Sequence, residues 1–229
     1  MNRSISVIIP TLNESGNIQA TISSALVDDT IEVIVADGGS IDNTVDISLS
    51  LGVKFILSDT GRANQMNTGA SIANGDILLF LHGDTRLPDN FDVMVKEVLQ
   101  KPGVIAGAFS LQIDAPQRSL RLIESAVNLR SRFLQMPYGD QAIFLRREIF
   151  NEIGNFPPLP IMEDFEIMRR LKRKGKIAIV DVPVITSGRR WIKKGVVKTT
   201  IMNQIAIIAY LIGISPRLIG EWYHGKKSE

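Results

Sequence analysis

The chain contains no cysteine. That excludes a disulfide scaffold, a thiolate zinc site, an iron–sulfur cluster and a cysteine nucleophile, and it agrees with a reducing, cytoplasmic setting. Histidine is nearly as scarce. His82 and His224 are the two present, too few for a multi-histidine metal centre, and His224, in the polar stretch from Trp222 to Lys227, is assigned no role. Long apolar runs are missing as well. The longest, Ile205 to Ile214, has ten residues, against the ~20 that a membrane-spanning helix needs. The opening segment, Met1 to Glu14, turns polar too early for a signal peptide or a membrane anchor. Two phosphate-binding signatures are also absent. The first β-branched run leads into Pro10-Thr11-Leu12-Asn13-Glu14 rather than G-x-G-x-x-G, and no G-x-x-x-x-G-K-[ST] occurs. With 18 Gly and 10 Pro in 229 residues, the chain is neither fibrous nor of low complexity.

What remains is the composition of a folded α/β protein: 45% of residues are hydrophobic and 22% charged. The length suits one large domain, and no internal repeat or long linker divides residues 1–229. Short apolar runs alternate with helical stretches in the first hundred residues. The runs are Ser4 to Pro10, Ile31 to Ala36, Val53 to Leu57 and Ile77 to Leu81. Helices are expected near Asn17 to Leu26, Thr44 to Leu51, Arg62 to Ala73 and Asp89 to Gln100. This reads as βαβ units on a mostly parallel sheet flanked by helices. Near-continuous hydrophobicity within the runs fits strands buried on both faces. Beyond residue 100 the pattern is less regular. Strands are expected at Val104 to Ile113, Gln141 to Arg146 and Lys176 to Val180, and helices at Ser119 to Phe133, Glu163 to Lys174 and Val196 to Leu211.

The net charge of +2 hides an asymmetry. Residues 1–164 carry 12 Lys and Arg against 20 Asp and Glu, a net −8; residues 165–229 carry 14 against 4, a net +10. The C-terminal part therefore faces phosphates, a membrane surface or simply solvent. Single-stranded nucleic acid is disfavoured, because the cations are not interleaved with stacking aromatics. The last long helix carries an apolar stripe, Val197, Ile201, Ile205, Ile208 and Ile212, with Lys193, Lys194 and Lys198 at its start. Core packing, a homodimer contact and a peripheral position on the membrane beside a lipid acceptor are the alternatives, core or dimer first.

Ligands on open α/β sheets bind beyond the carboxyl ends of strands. Three such ends here are polar: Thr11, Asn13 and Glu14 after the first run, Asp37 after the second, and His82 and Asp84 after the fourth. Without a glycine cradle, a hard divalent cation, Mg²⁺ or Mn²⁺, can neutralise a bound diphosphate using one or two carboxylates, and Asp84 is the natural ligand. Taken singly, each aspartate reads equally as a turn residue.

Three segments together carry a resemblance: Ser6-Val7-Ile8-Ile9-Pro10-Thr11-Leu12-Asn13-Glu14, Val35-Ala36-Asp37-Gly38-Gly39-Ser40-Ile41-Asp42-Asn43-Thr44, and Leu81-His82-Gly83-Asp84-Thr85. The chain resembles family 2 glycosyltransferases from about residue 4 to residue 175. It is similar to a small bacterial subgroup with Gly-Asp-Gln and Arg-Arg-Trp segments, here Gly139-Asp140-Gln141 and Arg189-Arg190-Trp191. The resemblance implies a GT-A-type, Rossmann-like fold and an inverting, metal-dependent transfer of a sugar from a UDP- or GDP-sugar to a hydroxyl or lipid acceptor. Residues 1–100 would form the nucleotide-sugar-binding half, 101–190 the acceptor half and 191–229 a C-terminal helical extension. By the same resemblance, Glu14 and Asp37 contact the nucleoside, with Arg62 and Asn67 near the base or diphosphate. Asp84 matches the second aspartate of the metal-binding Asp-x-Asp, whose first position is His82 here. Asp164 is the base and Glu163 supports it. On the acceptor side, Asp140 and Gln141 either line the pocket or pair with backbone. Arg190 and Trp191 either bind diphosphate and sugar or are a surface arginine and a core tryptophan. A nucleotidyltransferase or a non-catalytic membrane-surface module are the other classes open to this sequence.

Overall fold

A computed structural model describes residues 4–28 and 30–225; Lys226 and Lys227 lie outside the described residues. The elements run β1 (Ile5–Thr11), α1 (Ile18–Ala25), β2 (Ile31–Asp37), α2 (Thr44–Ser50), β3 (Lys54–Leu57), α3 (Arg62–Ser71), β4 (Ile77–Phe80), β5 (Thr85–Arg86), α4 (Phe91–Gln100), β6 (Val104–Asp114) and α5 (Arg118–Leu134). A 3₁₀ turn at Gly139–Gln141 follows, then β7 (Ile143–Arg146), α6 (Arg147–Glu152), α7 (Glu163–Lys172), β8 (Lys176–Ser187), α8 (Arg189–Lys194), α9 (Val196–Leu211) and α10 (Pro216–His224).

All eight strands form one sheet in the order β3-β2-β1-β4-β7-β6-β8-β5. Strand β1 pairs parallel with both β2 and β4, so the chain leaves it on one side and returns on the other. That reversal opens a crevice at the carboxyl ends of β1 and β4. The expected parallel order holds through β3, β2, β1 and β4. Beyond β4 the sheet is mixed, because β7 runs antiparallel to both β4 and β6 while β6 and β8 are parallel.

Side chains alternate across β1: Ile5, Val7 and Ile9 enter one apolar layer with Ile18 and Ile22 of α1 and Phe91 of α4. Ile8 enters the opposite layer with Met66 of α3, Phe150 of α6 and Ile167 and Met168 of α7. A third, smaller cluster joins Met162 and Phe165 to Ala206 of α9 and Ile219 of α10. It binds the C-terminal helices to the start of α7.

Strand β5 and helices α6, α8 and α10 are additional to the individually expected elements, and two strand boundaries differ from the expectation for a local reason. Strand β8 continues seven residues past Val180. Its register against β6 jumps from Phe109↔Val180 to Ser110↔Pro183, and the bulge accommodates the missing N–H of Pro183. The strand expected at Gln141 begins instead at Ile143, because Ala142 adopts a left-handed φ of 49° after the 3₁₀ turn. No helix among the described residues is long and apolar enough to cross a membrane.

Candidate active site

One end of the cluster is built on β1 and β2. Asp37, at the end of β2, is fully buried. Its Oδ1 accepts from the Gly39 and Ser40 backbone N–H groups at 2.9 and 2.7 Å, and its Oδ2 accepts from the hydroxyls of Ser40 (2.6 Å) and Thr11 (3.0 Å). Four donors occupy the carboxylate, so Asp37 and Thr11 together hold the turn after β2 in place. Gln65 of α3, which sequence reasoning passed over, completes this frame: its Nε2 donates to the carbonyls of Thr11 and Ala36 at 2.6 and 3.0 Å.

In front of this frame stand Glu14 and Asp84. One guanidinium nitrogen of Arg189 pairs with both of them, with Glu14 Oε1 in close contact and with Asp84 Oδ2 at 3.3 Å. Burial and then the neighbouring Glu14 push the Asp84 carboxyl above its ordinary range, and Arg189 and Arg62 pull it back. Arg189 begins α8, and sequence reading gave the role to its neighbour. Adjacent helical residues point roughly 100° apart, so the phase of α8 decides which arginine arrives. That phase depends on where β8 ends, and Pro183 concealed it.

Arg62, at the start of α3, joins the two ends of the site. Its Nη1 donates to Glu163 Oε1 at 3.3 Å. Burial opposes its charge, while Glu163, Asp164 and Asp84 favour it, which places all three carboxylates in its field. Glu163 opens α7 and is buried. Burial raises its pKa, Arg62 lowers it and Asp164 raises it again, with a net upward shift. Asp164 is oriented by two backbone donors, Gly139 N–H to Oδ2 at 2.9 Å and Phe165 N–H to Oδ1 at 2.7 Å. Glycine is required at 139: a Cβ there would lie 2.7 Å from His82 Nε2 and 3.4 Å from Asp164 Oδ2. His82 and Asp164 therefore both border position 139. Burial, then Arg62, hold its imidazole well below its ordinary pKa, so the ring is neutral at pH 7. Its Nε2 is buried without a hydrogen-bond partner, as is Oδ1 of Asp140. Burial, with Asp164 adding to it against Arg130 and Arg62, pushes the Asp140 carboxyl up to about 6. Among the described residues these are two unpartnered buried polar atoms in the surroundings of an oriented carboxylate, Asp164.

The other expected residues lie outside this cluster or support it from behind. Asn67 clamps the loop before α7, exchanging hydrogen bonds with the backbone of Phe156 at 2.9 and 3.1 Å. Gln141 is fully buried and takes the backbone-pairing alternative: its Nε2 donates to Phe109 O at 2.9 Å and its Oε1 accepts from Ser131 Oγ at 2.8 Å. Arg190 lies over the Tyr223 ring, 4.6 Å from its centroid. Trp191 packs against the core layer on the α1 and α4 face. Arg190 is thus engaged by α10 and Trp191 by the core. Arg130 stacks 3.6 Å over Tyr138 and faces Asp140. Nothing in the spacing of the sequence pointed to that stack.

Residues 6–159 match the glycosyl transferase family 2. The chain belongs to that family. Among curated family relatives, a "PGL/p-HBAD biosynthesis glycosyltransferase" of Mycobacterium bovis (strain BCG / Pasteur 1173P2) is 30% identical over 165 residues, 66% of this chain and 62% of the relative. A protein of the same description from Mycobacterium tuberculosis (strain ATCC 25177 / H37Ra) matches equally. The chain thus spans about three-fifths of the length of these relatives. Two solved structures share the fold. Glucosyl-3-phosphoglycerate synthase from M. tuberculosis, in complex with Mn²⁺, UDP and phosphoglyceric acid, has a TM-score of 0.64 at 21% identity, covering 93% of this chain and 79% of that one. S. aureus TarS 1-349 in complex with UDP also has a TM-score of 0.64, at 19% identity, covering 80% and 60%.

Against this family background the donor set can be tested for a metal. Among the described residues no group of three or more His, Asp and Glu could hold an ion by protein ligands alone. A Mg²⁺-type site needs one or two carboxylates, the remaining ligands being phosphate oxygens and water. Asp84, with Glu14 behind it, meets that requirement. His82 adds a neutral nitrogen rather than a second charge, and that nitrogen lies toward Gly139.

Proposed function

We propose that this family 2 protein transfers a sugar from a nucleoside diphosphate donor, UDP-linked by preference, to a hydroxyl acceptor in a single inverting displacement. The observation that carries the reading is the span of Arg62. Its guanidinium bonds Glu163 at the acceptor end and lies in the field of Asp84 at the donor end, so donor and acceptor chemistry meet across one side chain. Residues 1–100 supply the donor half and 101–190 the acceptor half. The Gly139-Asp140-Gln141 and Arg189-Arg190-Trp191 segments support the further proposal of a small bacterial subgroup of the family.

Asp164 takes the proton of the acceptor hydroxyl, whose oxygen attacks the anomeric carbon from the face opposite the diphosphate. The bond from that carbon to the β-phosphate oxygen breaks, and the diphosphate leaves with the electron pair. The two backbone N–H groups on Asp164 fix its direction and leave each oxygen a lone pair for the proton. The unpartnered oxygen of Asp140 receives and aligns the hydroxyl. At the donor end, Arg189, now paired with Glu14 and Asp84, is the cation placed to meet the diphosphate, and Asp84 would hold Mg²⁺ or Mn²⁺. The ion would supply neutralisation of the leaving diphosphate. Asp37 and Thr11 hold the turn that shapes the nucleoside pocket.

The test is a thermal-unfolding panel with UDP and GDP, each alone and with Mn²⁺ or Mg²⁺. A ligand at about 100 times its Kd adds about 2.7 kcal/mol, which for a chain of this size raises Tm by about 5–10 °C. A shift with UDP supports the donor reading and a shift with GDP alone reassigns the base. No shift with either, with or without metal, removes the reading.

A further inference from the structure

Helix α9 is apolar on both of its sides, and the protein covers one. Thr199 and Ala206 are its buried residues, and Tyr210 on the same side donates to Glu166 of α7 at 3.0 Å and packs edge-on against Phe165. At 3.6 residues per turn, Val197, Ile201, Ile205, Ile208 and Ile212 fall within an arc of roughly 80° on the opposite side. Those five are 46–72% exposed. A helix that is hydrophobic all round is ordinarily buried all round, and a continuous exposed apolar face of this kind marks an interaction surface.

The charge around the face identifies what it meets. Residues 182–220 hold six Lys and Arg and no Asp or Glu. Lys193 and Lys194 at the end of α8 and Lys198 in the first turn of α9 are exposed and form no ion pair among the described residues. Arg217, at the start of α10, is exposed but paired with Glu221 at 3.2 Å, which leaves the three lysines as the uncompensated charge. Two copies of this chain joined through this face with parallel α9 helices would set these cations against themselves, and with antiparallel helices the cations would meet a stretch, residues 182–220, that holds no Asp or Glu. An anionic bilayer accepts both features: the isoleucines enter the acyl boundary and the lysines stay among the phosphates. We propose that α9 lies in the surface of a membrane rich in anionic lipid, with Val197 to Ile212 inserted and Lys193, Lys194 and Lys198 on the headgroups. The helix is 16 residues long, about 24 Å of contact. Because its other side packs on Phe165, next to Asp164, docking brings the acceptor pocket within about one helix diameter (~10 Å) of the lipid. That last step, and only that step, rests on the transferase reading; the docking itself does not.

The experiment is co-sedimentation of the full chain with phosphatidylcholine vesicles, with and without phosphatidylglycerol, and needs neither donor nor turnover. The parent protein is expected to pellet with the anionic vesicles and to be released at high salt. Ile201→Glu with Ile205→Glu replaces exposed side chains, so the fold is retained, and is expected to weaken partitioning about tenfold or more. Lys193→Gln, Lys194→Gln and Lys198→Gln together are expected to abolish the preference for anionic lipid while preserving the Tm. The proposal is overturned by absence of vesicle binding, by binding that neither variant reduces, or by a concentration-dependent dimer that Ile201→Glu dissociates without any vesicle binding by the parent. A protein that binds vesicles but shows no Tm shift with UDP would keep the docking and remove the donor reading.

Discussion

Three aspartates of the site differ in what their oxygens have left to give. Asp37 accepts four hydrogen bonds and is spent on the turn after β2. Asp164 accepts one on each oxygen. Asp140 has an oxygen that accepts none. Asp37→Asn keeps an oxygen for the Gly39 and Ser40 N–H groups but sets an amide donor against the Ser40 and Thr11 hydroxyls and removes the charge, and is expected to destabilise the fold by about 2–3 kcal/mol, read as a lower denaturant midpoint. Asp164→Asn keeps the shape and removes the proton acceptor: turnover should fall by about 10²–10⁴ with UDP affinity unchanged, and retained turnover would take the role of base away from Asp164. Asp140 is best tested by pH. Its folded pKa of about 6 lies above the unfolded value of about 3.9, so the folded state holds its proton more tightly. Stability from this group is present below pH 4 and lost as pH rises through 6, about 3 kcal/mol in all. Asp140→Asn should lack that component of the Tm-against-pH curve, and an unchanged curve would show that the carboxyl titrates normally. Arg189→Ala leaves Glu14 and Asp84 facing each other. It should weaken metal-free UDP binding by about tenfold while making the remaining binding depend more steeply on Mn²⁺, measured by calorimetric titration with and without the ion.

At the scale of elements, the sequence was most legible where a strand is buried on both faces and a helix follows within a few residues. Strands β1, β2 and β4 and the helices after them are of this kind, and there expected and observed ends agree to within a residue or two, whereas β3 is an exposed edge strand and the two-residue β5 was not expected. Legibility failed where tertiary pairing overrides local preference. Pro183 should end a strand, yet β6 offers a bulge at Ser110 and carries β8 on to Ser187. The stripe on α9 was visible in full, but whether it faces core or outside depends on Ala206 and Tyr210, which its spacing does not rank. In the site, the polar strand ends Thr11, Glu14, Asp37 and Asp84 could be read from the chain because turns after parallel strands converge. The Gly139 contact with Asp164 could not, since the two lie 25 residues apart across an irregular loop. That contact makes the 3₁₀ turn itself testable. Gly139→Ala drives a Cβ into His82 Nε2, and the turn, the imidazole or Asp164 must move. Turnover should fall by about 10² with the far-ultraviolet circular dichroism of the parent, and full turnover would show that the turn has slack.

At the scale of the whole molecule, the C-terminal helices couple stability to the site. They bring Arg189 to the donor carboxylates, insert Trp191 into one core layer, and cover Met162 and Phe165 beside Asp164. A chain ending at Gly188 would lose all three contacts at once. Uncovering three large side chains costs about 1.5–3 kcal/mol each, together about 5–9 kcal/mol, while an entire domain is stable by about 5–15 kcal/mol. The truncated chain is therefore expected to be unfolded or marginal at 25 °C rather than to behave as a trimmed enzyme, whereas Arg189→Ala in the full chain stays folded and loses only its share of donor binding. Urea unfolding followed by tryptophan-independent circular dichroism separates the two cases. If the truncated chain unfolds cooperatively within about 1 kcal/mol of the parent, the helices are an accessory to the sheet, and their contacts with α7 serve the acceptor pocket alone.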